Sequence, residues 1–153
     1  MKCISFAFLI NPNIVENDLK QVDIRSLDEK GLRQIGNGKI FIEFPEKRES
    51  IVIESEVLDY ILQLKDVILD VDSGNFKTFT ISRDFYSNNL QFTYDSENKK
   101  IEIYEGNNGE FRIITNYSDF RLNFLSFFKR ALLDLELIYP DISLNQHFRD
   151  LKK

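Results

Sequence analysis

The chain has 153 residues, 42% apolar and 29% charged, with one histidine, one cysteine, no tryptophan and a formal charge of −5. That length suits a single domain, 1–153, whose core needs neither a metal nor a disulfide framework. The acidic balance argues against direct binding to nucleic acid, and one histidine with one cysteine cannot assemble a soft-ligand zinc site within a single chain.

Taken from its start, the chain has Lys2 followed by an apolar run that superficially resembles a secretion signal. Ile4, Phe6, Phe8 and Ile10 alternate as in a strand, however, and no small-residue cleavage site follows. Residues 2–10 therefore read as a first strand, with Cys3, Ser5 and Ala7 on its opposite face. The lone Cys3 fits a reducing compartment, no stretch is long enough to span a bilayer, and a cytoplasmic location without membrane contact is expected.

Asn11-Pro12-Asn13 reads as a turn, and the polar segment from Ile14 to Lys30 offers only a short strand at Val22 to Leu27. Leu32 to Ile35 and Ile40 to Phe44 flank Gly36-Asn37-Gly38-Lys39, which predicts a hairpin closed by Pro45. Ser55 to Val71 is a helix whose apolar residues occupy over half the wheel, stopped by Asp72-Ser73-Gly74-Asn75.

Four alternating segments follow: Phe76 to Ser82, Leu90 to Tyr94, Ile101 to Glu105 and Phe111 to Thr115. The links Tyr86 to Asn89, Asp95 to Asn98 and Gly106 to Gly109 are too short for parallel crossovers, so the segments form an antiparallel meander.

Ser118 to Tyr139 is the strongest element, a helix that places Phe120, Phe124, Phe127, Phe128, Ala131, Leu135 and Ile138 on one face, with Leu125 and Leu132 at its margin. Ser118 or Asp119 should cap it, and Pro140 should end it. A last helix, Ser143 to Leu151, carries Leu144, Phe148 and Leu151 and is positioned to cover Leu122, Leu133 and Leu137 on the outer side of its predecessor. The expected fold is α+β: one antiparallel sheet of N-terminal strand, hairpin and four-stranded meander, packed against two main amphipathic helices, with a short C-terminal helix.

Catalytic chemistry is thinly supplied. His147 reads as a surface residue and Cys3 as a small buried hydrophobe. Asp70 to Asn75 fails as a calcium loop, because Gly74 and Asn75 occupy the ligand and turn-glycine positions and Ile81 stands where the bidentate acid belongs. Gly31 and Gly36 have P-loop spacing, but Asn37 replaces the lysine. No pair among the 25 acids is singled out for hydrolysis, and neither a catalytic set, a metal nor a cofactor is expected.

The narrow polar arc of the 55–71 helix is acidic. Glu56, Asp59, Asp66 and Asp70 lack basic partners at i,i+4, and the stretch from Glu43 to Asp72 holds nine acids against three bases, a net −6. Concentrated like charge is self-repelling, and it becomes useful when a cationic partner docks against it. These four residues are the candidate partner contacts, with the sheet's outer face or the Tyr86 to Leu90 loop as alternatives.

A small, acidic chain rich in Phe, Ile, Asn and Lys, with this order of strand, hairpin, helix, meander and C-terminal helices, resembles the immunity proteins of bacterial toxin systems. The resemblance is architectural and extends over the whole chain. It implies a non-catalytic inhibitor that binds one cognate toxin inside the producing cell, and the acidic field on the 55–71 helix suits a cationic toxin domain. Three other readings stand beside it: an inhibitor or adaptor carried by a phage or mobile element, a carboxylate-dependent hydrolase working between helix and sheet, and a scaffold subunit docking through Leu122, Leu133 and Leu137.

Overall fold

The computed structural model describes residues 3–81, 89–106 and 109–153. Two antiparallel sheets organise them. β1 (Ser5–Leu9), β2 (Asn37–Phe44) and β3 (Glu49–Glu56) form the first, in that order. β4 (Phe79–Ile81), β5 (Leu90–Asp95), β6 (Lys100–Glu105) and β7 (Arg112–Asn116) form the second, a meander. The α+β architecture and the antiparallel pairing are as expected, but the single sheet becomes two.

Part of the reason lies at the edge of β1. The Asn123 amide of the later Phe-rich helix donates to the Ile4 carbonyl at 2.9 Å, so a helix side chain, and not a further strand, meets that edge. The other separator is α3 (Val57–Asp72), which leaves the end of β3 before β4 begins.

Register explains which side chains become core. In the first sheet Phe6 lies opposite Ile42 and Ile42 opposite Ile51, while Phe8, Ile40 and Ile53 make a second row. In the second sheet Phe79, Phe92, Ile103 and Ile113 align across all four strands. Both sets face α3 and α4 (Tyr117–Ile138). Phe6 sits among Phe120, Phe124 and Phe127 with ring centroids 5.9, 5.5 and 5.8 Å away, and Phe120 also reaches Phe92 of the other sheet at 6.3 Å. The Phe-rich face of α4 therefore joins the two sheets, each buried ring contributing roughly 1.5–3 kcal/mol relative to exposure.

The predicted hairpin is misplaced. β2 pairs with β3 through a turn at Pro45–Lys47, with Arg48 in the left-handed region at φ 54°, and Leu32 belongs to a helical turn, α2 (Glu29–Leu32). Gly38 lies within β2: a Cβ there would stand 2.3 Å from the Leu9 carbonyl oxygen, so this glycine permits close approach of β1 instead of marking a turn. Gly36 does need its freedom, with φ at 73°.

The N-terminal polar region also departs from expectation. Asn11 caps, and Pro12 begins, the helix α1 (Pro12–Gln21), where a turn was expected. The strand expected at Val22 to Leu27 is a 3₁₀ turn, Ile24–Ser26. The stop of α3 is as predicted: Gly74 at φ 86° donates to Val71, and Asn75 donates to Asp70, the paired hydrogen bonds of a Schellman motif. The Asp95–Asn98 link is an Asx turn, in which Asp95 accepts from the Glu97 and Asn98 amides. Ser82 and most of the 86–89 link lie outside the described residues, as do Asn107 and Asn108; among the described residues β4 begins at Phe79, not Phe76. Neither Ser118 nor Asp119 is the cap of α4; Asn116 holds that position.

The tail takes a different seat from the one expected. After a 3₁₀ segment at Pro140–Leu144 it forms α5 (Gln146–Leu151). The Asn145 amide donates to the carbonyls of Ile24 and Leu27 at 2.8 and 2.9 Å, while its oxygen caps α5 by accepting from the Phe148 amide. With Phe148 and Ile142 buried beneath it, the tail is committed to the α2 side of the molecule. Leu122, Leu133 and Leu137 consequently remain 67%, 55% and 82% exposed.

Candidate functional site

The acidic arc of α3 contains the four predicted contacts, and the fold divides them. Glu56 ends β3 and occupies the N-cap of α3, half-buried. Asp59, in the first turn, is only 6% exposed. Arg33 Nε, from the C-cap of α2, donates to Asp59 Oδ1 at 2.7 Å, and Gln63 Nε2 donates to Oδ2 at 2.9 Å. A carboxylate at a helix N-terminus is further favoured by the helix dipole. Asp59 is thus an internal ionic joint between α2 and α3, which corrects its reading as a solvent-facing charge.

Asp66 and Asp70 differ. Asp66 is exposed, Asp70 is half-buried, and neither makes an ion pair among the described residues. Desolvation pushes the Asp66 carboxyl above its usual range and the neighbouring Asp70 adds to this, while the charges of Arg33 and Lys65 act against it. At the end of the helix Asp72 is again tied into the fold. It accepts from the Tyr117 hydroxyl at 2.8 Å and from Arg121 Nε at 2.9 Å, and the Tyr117 hydroxyl is shifted upward by burial first and by Asp72 second.

The Arg33–Asp59 joint forms one wall of a broad polar cleft of about 860 Å³ between α2, α3 and α5. Asp28, Glu29, Gln63 and His147 are among the residues that line it. Asp28 is engaged as the N-cap of α2, accepting from the Gly31 amide at 2.7 Å. His147 is exposed on α5. Cys3 is half-buried beside the edge strand, away from this cleft. Among the described residues no three His, Cys, Asp or Glu side chains gather as a metal site would require, and no helix is long and apolar enough to cross a membrane.

Arg33 is the residue that sequence reasoning missed. It lies 26 positions from Asp59, and periodicity within one helix carries no information about a partner brought in by another. The Glu29–Arg33 i,i+4 spacing was the available signal that 29–33 is helical, and these two side chains do approach, at 3.8 Å. The alternative contact loop Tyr86 to Leu90 falls outside the described residues except for Asn89 and Leu90. No protein-family model, no curated protein and no solved structure matches this chain.

Proposed function

We propose that this chain is a non-catalytic, cytoplasmic protein-binding module, an inhibitor of the immunity type that neutralises a cationic toxin domain, and that it docks through the C-terminal half of the acidic α3 arc. The observation that carries the reading is the placement of Asp66 and Asp70: an exposed and a half-buried carboxylate one turn apart on the most acidic stretch of the chain, neither with an ion pair among the described residues. A lysine or arginine supplied by a partner offsets both the repulsion between the two carboxylates and the desolvation that docking adds. The hydrolase reading gains less support, because the buried acid of the cleft, Asp59, already accepts from Arg33 and Gln63.

The test is capture of the partner from the native cell with tagged chain, followed by association kinetics on the purified pair across a salt series. Charge reversal of Asp66 and Asp70 together to Lys is expected to slow association about tenfold or more at low salt and to flatten the salt dependence. Asp59 must be left intact, since its reversal would act on folding. Identical on-rates and salt slopes for the native and doubly reversed chains would remove this face from the interface.

A further inference from the structure

A second surface, of opposite sign, lies between α4 and the C-terminal tail. Its floor is apolar: Leu125, Phe128, Leu132, Leu133 and Leu151 line a groove of about 380 Å³. Its rim carries Lys65, Lys129, Lys152 and Lys153. Acids also face this rim, for Lys152 is bonded to Glu136 and Lys153 Nζ lies 3.4 Å from Asp150 Oδ1, while Asp66 adjoins Lys65 on α3. Lys65 Nζ stands 4.5 Å above the Phe128 ring centroid, and neither Lys65 nor Lys129 forms an ion pair among the described residues. Four lysines thus converge on an apolar slot in a chain whose total charge is −5.

We infer that this groove binds an acidic amphipathic helix of a partner protein, its leucine-like anchors against Leu125 and Leu133 and its carboxylates against Lys65, Lys129 and Lys153. Charge complementarity selects the sign of the occupant. The shape comes from α4: exposed Leu122 and Leu133 extend the apolar strip along about 16 Å of helix, the length of a three-turn peptide laid alongside. The tail, held at Asn145 by the carbonyls of Ile24 and Leu27, reaches this side only with Leu151, Lys152 and Lys153, which line the groove and leave Leu133 exposed. The inference is independent of the α3 arc, so failure of either leaves the other standing.

The probe is a labelled, helix-forming peptide of about 14 residues with leucines one turn apart and glutamates beside them, compared with a lysine-for-glutamate version and a scrambled one by fluorescence anisotropy. The acidic amphipathic peptide is expected to bind saturably, more weakly as salt rises, and at least about tenfold more tightly than either control. Lys129→Glu and Leu133→Ser, both at exposed positions, should each weaken it by about tenfold or abolish it while leaving the circular-dichroism melt unchanged. Equal binding of the scrambled peptide, indifference to both substitutions, or no binding at about 1 mM peptide overturns the inference. So does preferential binding to phosphatidylglycerol vesicles without peptide binding, or a self-association of the chain that Leu133→Ser dissolves.

Discussion

Asp59 and Asp66 stand two helical turns apart on the same face of α3, yet the first is buried against Arg33 and Gln63 and the second faces solvent with a carboxyl shifted upward. Their helix is one continuous element; what differs is the neighbour laid across it. The C-cap of α2 supplies Arg33 to the first turn, whereas along the later turns Asp66 and Asp70 have no such partner among the described residues. The same residue type on the same face is therefore a structural joint at one end and a solvent-facing charge at the other. An acidic helix face can be assigned a role only after the rest of the chain has been folded over it.

The difference can be broken most severely at the joint. Asp59→Lys would set a second cation against Arg33 in a site with little solvent, and should cost about 3–5 kcal/mol in urea unfolding. A loss within about 0.5 kcal/mol would place Asp59 on the solvated surface after all. Asn145 sharpens the same contrast with an uncharged group. Asn145→Ala leaves the carbonyls of Ile24 and Leu27 and the Phe148 amide without their partner, and should cost about 2–3 kcal/mol and loosen the tail, readable as faster amide exchange in α5.

At the open end the effects on stability shrink. Reversing Asp66 and Asp70 to Lys together should change stability by no more than about 1 kcal/mol, against the far larger effect at Asp59. The smallest expected effect carries a definite sign. Because folding raises the Asp66 carboxyl above its ordinary value of 3.8, the folded chain holds this proton more tightly than the unfolded one, and the group's contribution to stability falls as pH rises through that window. Asp66→Asn should accordingly match the native chain below about pH 3.8 and be equal or more stable, by up to about 0.5 kcal/mol, at neutral pH. A variant that is less stable at neutral pH and equal in acid would reverse the assignment of burial as the leading cause.

What could be read from the sequence followed from local repetition. The face of Phe120, Phe124, Phe127 and Phe128 is legible because its spacing matches one helical stripe, and those rings are buried as that spacing demands. The turn Asp95–Asn98 and the stop at Gly74 are legible because Asp, Asn and Gly suit those backbones for local reasons. Errors arose where one residue type serves two purposes. Pro12 breaks a strand but equally begins a helix, and with Asn11 before it the second role prevails. Gly38 can mark a turn or a close strand contact, and only the position of the Leu9 carbonyl decides between them. The four-residue stretch Leu32 to Ile35 is too short for period two and period 3.6 to be told apart. At the candidate site the acidic arc was legible, but its division was not, since Arg33 reaches Asp59 from another helix.

The carboxylate of Asp18 gathers segments from far apart in the chain: it accepts from the Gly36 amide at 3.0 Å and from the Tyr139 hydroxyl at 2.6 Å, across 121 positions. α1, which bears Asp18, has no fully buried side chain of its own; Ile14 and Val15 pack half-buried against the core, and this clamp adds to their hold. During synthesis from the N-terminus the Gly36 half of this clamp can close early, but the Tyr139 half must wait until residue 139 has cleared the ribosome. Completion of the clamp is thus a late event of folding.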